Sequence, residues 1–374
     1  MSTAKYYLGL MSGTSADGVD LALVDFSART PELIAHCYQP YSDDMQNKIT
    51  QLYLPDNNEI DTVGSLNVEL AKHFAVIIQR FLAEQQLSHS DIIAIGNHGQ
   101  TIRHRPCKNH HITHPFTLQI GCNHTLAYQT NIRVVGDFRS KDIVLGGQGA
   151  PLVPAFHQYL FSHRQQDTFI VNLGGIANIT YLPQDEQKSV LGFDTGPANA
   201  LLDSWCALHT AERFDNNGAW AAQGTINQAL LNDLLSDPYF SLAAPKSTGR
   251  EYFTLDWLTS YLSNHLSLSA VNVQATLAAL TCQTIAQEIN KLSPKAFVYL
   301  CGGGINNNYS YKLLEQELSS HSVKTIHALK LNNNAFEAMA FAWLAFAYDK
   351  KIYGNIPAVT GASKETVLGV EFNP

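Results

Sequence analysis

The sequence contains no run of the roughly 18–20 consecutive apolar residues that a membrane-spanning helix requires. Near the start, only residues 6–11 are largely apolar before polar residues follow, and this stretch is too short for the core of a signal peptide. Charged residues make up 15% of the chain, less than in an average globular protein, and the net charge is −8. An acidic chain has no general attraction to nucleic acids or anionic membranes. We therefore expect a cytoplasmic protein with neither nucleic acid nor a membrane as its partner.

The chain also lacks a recognisable cysteine framework. None of its 6 cysteines falls in a C-x-x-C pair, and scattered cysteines in a chain without an export signal are typical of reduced thiols in a folded core. Histidines are dense near Cys107, but their spacing fits no standard structural zinc site, so we interpret this segment as a polar loop. The histidines concerned are His98, His104, His110, His111 and His114.

One unusual design is present twice, about half the chain apart. Residues 8–24 and 169–182 each contain a short apolar strand, a turn rich in glycine and small polar residues, and a second apolar strand. Glycine-rich turns expose backbone N–H groups with no Cβ in the way, and such concavities hold phosphate. A length of 374 residues allows two domains with full cores. The repeat predicts two related lobes that grip one polyphosphate between them.

Strands and helices alternate along the chain, which favours mixed α/β sheets in both lobes. The polar residues 162–167 mark the boundary between the lobes. We therefore predict an N-terminal lobe formed by residues 1–162 with 355–374, and a C-terminal lobe formed by residues 163–354. Strands are expected near 6–12, 18–26, 33–38, 91–96, 117–121, 132–135, 169–182, 297–300 and 367–370, and helices near 43–53, 61–84, 154–161, 197–209, 224–236, 255–263, 271–291, 307–318 and 334–348.

The turn of the first hairpin, residues 13–18, has the Gly-x4-Gly spacing of a P-loop. That motif needs Lys and then Ser or Thr after the second glycine, whereas Val19 and Asp20 stand there. The chain also returns into a strand instead of entering a helix, so the sequence does not encode a P-loop. An ordinary β-hairpin turn, in which Asp-Gly is a common pair, remains the alternative to a phosphate-binding hairpin.

A further glycine cluster lies between a predicted strand and a predicted helix, at residues 301–307. Gly302 and Gly304 fit the start of a dinucleotide-binding fingerprint, but Asn307 replaces its third glycine. Consecutive glycines at such a junction allow a flat ligand to lie against the backbone, with the helix N-terminus near its phosphates. The alternative is a tight strand–helix turn that binds nothing.

Asp194 is the first candidate catalytic acid. It follows the predicted strand 190–193, and Pro197 suits the first turn of the next helix. Ligand sites of open α/β sheets lie at such strand ends. Asp194 is therefore either a general base or, like Thr195, an N-terminal helix cap.

Glu337 is the second candidate. It is the only charge between residues 334 and 348, in a segment that is otherwise apolar on all sides. Such a helix is buried, and a buried carboxylate needs a partner. The alternative is a capping box with Asn334, which has Asn in place of Ser or Thr.

These features together resemble the actin-like ATPase and sugar-kinase superfamily, and more narrowly the anhydro-N-acetylmuramic acid kinase family. The resemblance runs from Leu8 to about Val370, and its specificity comes from several blocks in the same order. It implies two ribonuclease-H-like α/β lobes around a central cleft. It also implies a kinase that uses ATP and water to open the 1,6-anhydro bridge of anhydro-N-acetylmuramic acid and phosphorylates O6, a step of cell-wall recycling. The blocks are residues 11–20, 96–101, 136–139, 146–154, 172–178 and 193–197.

The resemblance also implies roles for individual residues, with ATP and Mg²⁺ as cofactors and Asp194 as the base. The wider superfamily usually carries an aspartate just before the Gly-Thr of the first hairpin, where this chain has Met11 and Ser12. Either Asp17 or Asp20 could replace it, so the Mg²⁺ ligands stay open. The candidates for ATP binding are Gly13, Thr14, Ser15, Ala16, Asp17, Gly18, Val19, Asp20, Gly174, Gly175, Asn178, Gly302, Gly303 and Gly304.

The expected substrate is an amino sugar with an N-acetyl group and a lactyl carboxylate. An arginine is suited to pair with that carboxylate, and Arg139, Arg103 and Arg105 are the candidates. Polar residues near the glycine-rich loops are expected either to bind the sugar or to make ordinary loop hydrogen bonds. These residues are His98, Gln100 and Gln148, which are expected on the loops themselves, and Asp137, which lies close to Arg139 in the sequence.

Other functions fit the same scaffold, because one fold hosts many chemistries. The chain could be a different sugar or acyl kinase, or a non-enzymatic actin-like ATPase. The resemblance also implies that a homodimer is possible.

Overall fold

The computed structural model describes residues 5–54, 59–107, 112–329 and 331–374. The chain divides into two compact units: Met1–Leu160 with Asn334–Pro374 form the first, and Phe161–Asn333 form the second. Within the described ranges, the structure contains no helix whose length and apolar character would let it span a bilayer.

Strands and helices alternate in both units. In the described residues the strands are β1 (Tyr6–Ser12), β2 (Gly18–Asp25), β3 (Glu32–Pro40), β4 (Ile92–Arg105), β5 (Phe116–Ile120), β6 (Val134–Gly136), β7 (Thr168–Leu173), β8 (Ile176–Leu182), β9 (Leu191–Pro197), β10 (Phe297–Cys301), β11 (Ser322–Thr325) and β12 (Val370–Phe372). The α-helices are α1 (Asp43–Gln51), α2 (Glu59–Glu84), α3 (Asn123–Thr130), α4 (Ser140–Val144), α5 (Val153–Leu160), α6 (Asn199–His209), α7 (Gln228–Leu235), α8 (Pro238–Ser241), α9 (Leu255–Leu262), α10 (Ala270–Leu292), α11 (Asn308–Glu317), α12 (Phe336–Lys350) and α13 (Pro357–Thr360).

The sheets of the two units share one strand order. The described part of the first sheet has the order β3-β2-β1-β4-β6, with β12 at the β6 edge and β5 beside β4. The described part of the second has the order β9-β8-β7-β10-β11. In each sheet the first three strands of the unit pair antiparallel, and the next two strands in the order given run parallel to the first. The expectation of mixed α/β sheets built on a repeated design is confirmed.

Helix α12 packs closely on the sheet of the first unit because glycines remove side chains from the contact. A Cβ on Gly9 would overlap the carbonyl of Ala338, and a Cβ on Gly96 would overlap the carbonyl of Phe341. Of the 15 residues of α12, 11 are buried. We had expected this helix in the C-terminal lobe, within residues 163–354, but it belongs to the first unit. The reason is that its apolar surface is covered by β1, β2 and β4.

In the second unit, α10 joins two core clusters. Its C-terminal half packs with β7, β8 and β10, and its N-terminal half packs with the helices α6, α7 and α9. The sheet and the helical layer of this unit are thereby held by one long helix.

Two elements near the candidate residues differ from the prediction. Strand β4 continues to Arg105, beyond the expected 91–96, because it pairs first with β1 and then with β5. His98 and Gln100 therefore lie in a strand and not on a loop. Pro197 ends β9 instead of opening a helix, and α6 begins at Asn199.

Candidate active site

The turn between β1 and β2 presents backbone N–H groups, while its carbonyl oxygens are used by the protein. The carbonyl of Gly13 accepts from Ala16 N at 3.1 Å, and that of Thr14 accepts from the Tyr53 hydroxyl at 2.9 Å. In the part of the chain that the structure describes, the N–H groups of Gly13, Thr14 and Ser15 donate to no protein acceptor. Adjacent amides without a partner are typical of an anion-binding concavity.

The side chains of this hairpin differ in accessibility. Thr14, Ser15 and Asp17 are exposed, and the Ser15 hydroxyl donates to Oδ1 of Asp17 at 2.8 Å. Ala16 and Val19 are completely buried in the core of the first unit. Of the candidate ATP-binding residues, Ala16 and Val19 therefore do not present their side chains to a ligand.

Gln100 holds this turn from the interior. Its Oε1 accepts from Ser12 Oγ at 2.5 Å, and its Nε2 donates to the Gly13 carbonyl at 3.0 Å and to the Tyr53 hydroxyl at 3.1 Å. The side chain is completely buried. The structure thus places Gln100 behind the hairpin, with both ends of its amide occupied, and not on the accessible loop we expected.

His98 connects the same hairpin to Arg139. Nη2 of Arg139 lies 2.8 Å from Nε2 of His98, and because a guanidinium only donates, Nε2 accepts and the proton lies on Nδ1. Nδ1 then donates to the Ser12 carbonyl at 3.2 Å. Burial, and after it the charge of Arg139, lowers the pKa of His98 to about 3, so the ring is neutral near pH 7. Like Gln100, His98 is occupied by protein groups on both sides.

Arg139 is the best placed of the arginines expected near a sugar carboxylate. Arg103 already pairs with Glu59 at 3.0 Å, and Arg105 is exposed. Arg139 donates to the Gly149 carbonyl at 2.7 Å and, among the described residues, forms no ion pair. Burial lowers the pKa of Arg139 to about 10, although nearby carboxylates oppose the shift, so it stays charged at pH 7. A cation without a carboxylate partner is suited to an anionic ligand.

A buried carboxylate fixes the loop that carries Gln148. Asp142 is completely buried and joins this loop to the C-terminal segment of the chain. The side chain of Gln148 stays exposed, and so does that of Asp137, which keeps both as candidates for contact with the sugar. The groups that donate to Asp142 are Gly149 N (2.7 Å), Asn355 Nδ2 (2.7 Å) and Thr360 Oγ1 (2.8 Å).

Glu337 and Asp20 bring two negative charges near each other in the first unit. Helix α12 begins at Phe336, and the residue at its N-cap position is Ala335, not Asn334 as the capping-box alternative requires. The Glu337 side chain is accessible to solvent but recessed among protein atoms. Partial desolvation, and after it the charge of Asp20, raises the pKa of Glu337, while Arg139 opposes the shift. Asp20 also lies 2.9 Å from Nε2 of His36.

The turn between β7 and β8 repeats the arrangement of the first turn. The carbonyl of Gly174 accepts from Asn199 N at 3.0 Å, and that of Gly175 accepts from Ala198 N and Ala200 N at 3.1 Å. Across the described ranges, the N–H groups of Gly174 and Gly175 donate to no protein acceptor. Each hairpin therefore combines occupied carbonyls with unpaired amides.

Asp194 lies within β9, not at its end as predicted. The strand continues to Pro197 because its pairing with β8 resumes beyond a bulge. Neither Asp194 nor Thr195 caps α6, since the residue at that position is Ala198. Asn178 pairs directly with Asp194, so the two side chains lie on one face of the sheet. Asn178 is thus placed beside the candidate base and not in the glycine turn.

The carboxylate of Asp194 is held by one oxygen only. Its Oδ2 accepts from Thr248 N at 3.0 Å and from Ser247 Oγ at 3.1 Å. No described protein group donates to Oδ1. Burial raises the pKa of Asp194, and the two hydrogen bonds oppose the shift. A raised pKa makes the free oxygen a stronger proton acceptor.

The segment 246–250, which no sequence motif singled out, orients Asp194. The Lys246 carbonyl accepts from Asp194 N at 3.0 Å, and the Lys246 ammonium pairs with Oε1 of Glu288 at 3.0 Å. Both charged side chains of this pair are buried, so they anchor the segment firmly. In the sequence, small polar residues after a lysine do not distinguish this segment from an ordinary loop.

The third glycine cluster follows β10. Gly302 has φ +84°, and a Cβ there would overlap Asn172. The side chain of Asn333 bonds both backbone groups of Gly302, at 2.6 and 3.2 Å. A Cβ on Gly303, in contrast, would have only Asn199 within 4 Å, at 3.9 Å, so Gly303 borders open space. Asn307, which replaces the third glycine of the fingerprint, accepts from Ser310 N at 3.0 Å and caps α11.

The histidines near Cys107 were not expected to form a structural zinc site. In the described ranges, no group of at least three His, Cys, Asp or Glu side chains is arranged to hold a metal ion. Nδ1 of His104 instead lies 3.0 Å from the Thr117 hydroxyl. His110 and His111 lie outside the described residues.

Comparisons with known proteins agree with the resemblance. A family model described as anhydro-N-acetylmuramic acid kinase matches residues 5–374. A protein of that name from Colwellia psychrerythraea is 51% identical over 394 residues, covering 100% of this chain and 98% of the relative. Another from Shewanella denitrificans is 48% identical over 373 residues and covers 100% of both chains. A solved activator of the 2-hydroxyisocaproyl-CoA dehydratase from Clostridium difficile covers 92% of this chain and 96% of its own at 10% identity, with a TM-score of 0.44, too low to support an inference. Because the family model and these full-length relatives agree, the chain belongs to the anhydro-N-acetylmuramic acid kinase family.

Proposed function

We propose that this kinase uses ATP and water to convert anhydro-N-acetylmuramic acid into N-acetylmuramic acid 6-phosphate. The observation that carries the proposal is the repeated hairpin, in which carbonyl oxygens are occupied and adjacent N–H groups are left unpaired. Such amides bind anionic oxygens, which fits the phosphates of ATP. The family membership supports the choice of sugar. We further propose that the enzyme works in the cytoplasm, where ATP is abundant.

The turns of the two hairpins are proposed to contact phosphate oxygens through backbone atoms. In the first turn, the donors are the amides of Gly13, Thr14 and Ser15; in the second, they are those of Gly174 and Gly175. Gly303, which borders open space, would lie against the nucleoside part of ATP.

Asp194 is proposed as the general base. Its free oxygen would take a proton from water as the water oxygen bonds to C1 of the sugar. The bond between C1 and the bridging oxygen breaks, and that oxygen, O6, accepts the γ-phosphoryl group while ADP leaves. The net reaction consumes one water and one ATP and releases one proton. No second acid is required, because O6 passes from carbon to phosphorus without being protonated.

The pair of carboxylates formed by Asp20 and Glu337 fits a role near Mg²⁺. Burial, and after it the charge of Asp20, raises the pKa of Glu337, and a divalent cation would relieve the repulsion between the two carboxylates. Oxygen ligands of this kind suit Mg²⁺, which keeps several waters and binds the phosphates of its nucleotide. Magnesium would neutralise charge on the phosphates. Glu337 would thereby act through the metal, leaving proton transfer to Asp194.

The sugar is proposed to be recognised by the loops of the first unit. Arg139 would pair with the lactyl carboxylate, because it is charged and has no ion pair among the described residues. The exposed side chains of Gln148 and Asp137 would bind polar groups of the sugar. His98 and Gln100 would act indirectly, by holding Arg139 and the first hairpin in position.

The test is a comparison of substrates with the purified protein. Anhydro-N-acetylmuramic acid is incubated with ATP and Mg²⁺ in ¹⁸O-labelled water, and the product is analysed by mass spectrometry. We expect a 6-phosphate that carries one ¹⁸O atom at C1. N-acetylglucosamine, N-acetylmuramic acid and acetate serve as competing acceptors for a different sugar or acyl kinase. Phosphorylation of one of these in place of the anhydro sugar would overturn the proposed substrate.

A further inference from the structure

The segment that orients Asp194 also places an arginine against the second hairpin. Thr248 N bonds the Asp194 carboxylate, and two residues later the Arg250 guanidinium lies over Gly175. A Cβ on Gly175 would lie 2.5 Å from Nε of Arg250 and 2.7 Å from Nη2. The absence of a side chain at Gly175 is therefore what allows the guanidinium to reach the backbone of the turn.

Arg250 has no protein partner that would explain this position. Among the described residues it donates no hydrogen bond and forms no ion pair within 4.0 Å, and its side chain is exposed. Asp203 in α6 interacts with it electrostatically without forming an ion pair. Burial raises the pKa of Asp203 to about 6, and the charge of Arg250 opposes the shift. The arginine is thus a cation without an ion pair among the described residues, and it lies beside the unpaired amides of Gly174 and Gly175.

We infer that Arg250 is a phosphate-binding residue, whose guanidinium contacts ATP at the second hairpin together with the amides of Gly174 and Gly175. The inference deepens the proposed function and rests on it for the identity of the ligand. A guanidinium has several N–H donors in one plane and matches phosphate oxygens with two parallel hydrogen bonds. Because it carries a full charge, it also stabilises the negative charge that develops during phosphoryl transfer.

The rigidity of the segment supports this role. The buried ion pair between Lys246 and Glu288 anchors its beginning, and the contacts of Ser247 and Thr248 with Asp194 hold its centre. The same short stretch therefore connects the proposed base to the proposed phosphate site. A change in the position of one would be transmitted directly to the other.

The experiment compares Arg250→Gln and Arg250→Lys with the unsubstituted protein. Lys188→Gln is the matched control, because it removes one exposed positive charge in the turn that follows β8, at the opposite end of that strand from the hairpin. Dissociation constants for ATP and for adenosine are measured by isothermal titration calorimetry, and kcat and KM are measured with saturating sugar. Thermal unfolding confirms that each variant is folded.

We expect Arg250→Gln to weaken ATP binding by about 10–100-fold, the range for loss of a charged hydrogen-bonding partner. Adenosine binding should be unchanged, because adenosine has no phosphate. We expect kcat to fall by about 10²–10³-fold, as when one preorganised donor to a reacting group is lost. Arg250→Lys should recover part of the ATP affinity through its charge, and Lys188→Gln should match the unsubstituted protein.

The outcomes separate this inference from the proposed function. If Arg250→Gln binds ATP as tightly as the unsubstituted protein, Arg250 does not contact phosphate, whatever the enzyme phosphorylates. If adenosine binding weakens as much as ATP binding, the residue has a structural role and the inference fails. If ATP binding weakens selectively but the anhydro sugar is not converted, the inference stands and the proposed substrate fails.

Discussion

Asp194 illustrates how a carboxylate can be oriented and remain reactive. One oxygen is held by Ser247 and Thr248, and the other has no donor among the described residues. This asymmetry fixes the direction of the side chain while leaving a lone pair for a proton. Burial raises the pKa of this carboxylate by disfavouring its charged form, which would strengthen it in the proposed role of base.

Replacing Asp194 with Asn tests its role as the base. The amide keeps the shape of the side chain but cannot accept a proton from water, so kcat should fall by about 10²–10⁴-fold. The dissociation constant of ATP should change little. Asp185→Asn is the matched control, since Asp185 is exposed in the turn between β8 and β9. Near-normal turnover of Asp194→Asn would remove this residue as the base.

The pH dependence of kcat/KM tests the environment of the same carboxylate. The base must be ionised, so activity is lost as the pH falls through the pKa of Asp194, which burial raises above the ordinary aspartate value. Ser247→Ala removes a hydrogen bond that favours the ionised form, so the acidic limb of the profile should move to higher pH. The control is Ser260→Ala, whose exposed hydroxyl donates to the Trp257 carbonyl. An acidic limb that stays in place would show that Ser247 does not tune the base.

The contact between α12 and the first sheet shows why two strands need glycine. The backbone carbonyls of Ala338 and Phe341 occupy the space where the Cβ atoms of Gly9 and Gly96 would be. Backbone atoms cannot rotate away as a flexible side chain can. The two glycines therefore determine the distance between the sheet and the helix that carries Glu337.

Substituting Gly96 with Ala tests this packing. The added methyl group must push β4 away from α12, and overpacking of this kind costs at least about 1–3 kcal/mol in the free energy of unfolding. The control is Gly64→Ala in α2, where a Cβ would meet no atom within 4 Å. That change should stabilise the protein by about 0.5–1 kcal/mol, because alanine favours a helix. Chemical denaturation of both variants gives the comparison, and equal stabilities would contradict the close packing.

The first unit is formed by two segments that are far apart in the chain, Met1–Leu160 and Asn334–Pro374. The C-terminal segment reaches this unit through β12 and through the hydrogen bonds of Asn355 and Thr360 with Asp142. The same carboxylate holds the loop that carries Gln148. The C-terminal segment is therefore part of the support for the proposed sugar-binding loops.

Thr360→Val tests this connection with little change in volume. The substitution removes one donor from a completely buried carboxylate, which should lower the free energy of unfolding by about 1–3 kcal/mol. Thr259→Val is the control, because Thr259 is exposed and its hydroxyl donates to the Leu255 carbonyl within α9. Urea denaturation measures both. An unchanged stability for Thr360→Val would show that the C-terminal segment is not held through Asp142.

Some features of the site could be predicted because they depend on neighbours in the chain. A glycine turn between two apolar strands forms a hairpin whatever lies around it, so the turns at Gly13 and Gly174 were recognisable. The C-terminal end of β4 could not be recognised, because the strand continues to Arg105 only through its pairing with β5. His98 and Gln100 were consequently expected on a loop.

The amino-acid order alone predicted the repeated hairpins and the α/β class, and it singled out Asp194 as the candidate base, since these rest on local periodicity and on turn chemistry. The position of Arg250 over Gly175, the inward orientation of Gln100 and the membership of α12 in the first unit came from folding. Each depends on groups far apart in the chain that meet because buried surface and satisfied hydrogen bonds are optimised over a whole unit. Local sequence patterns do not contain information on such long-range contacts, which is why the arginine at the second hairpin could be identified only from the three-dimensional structure.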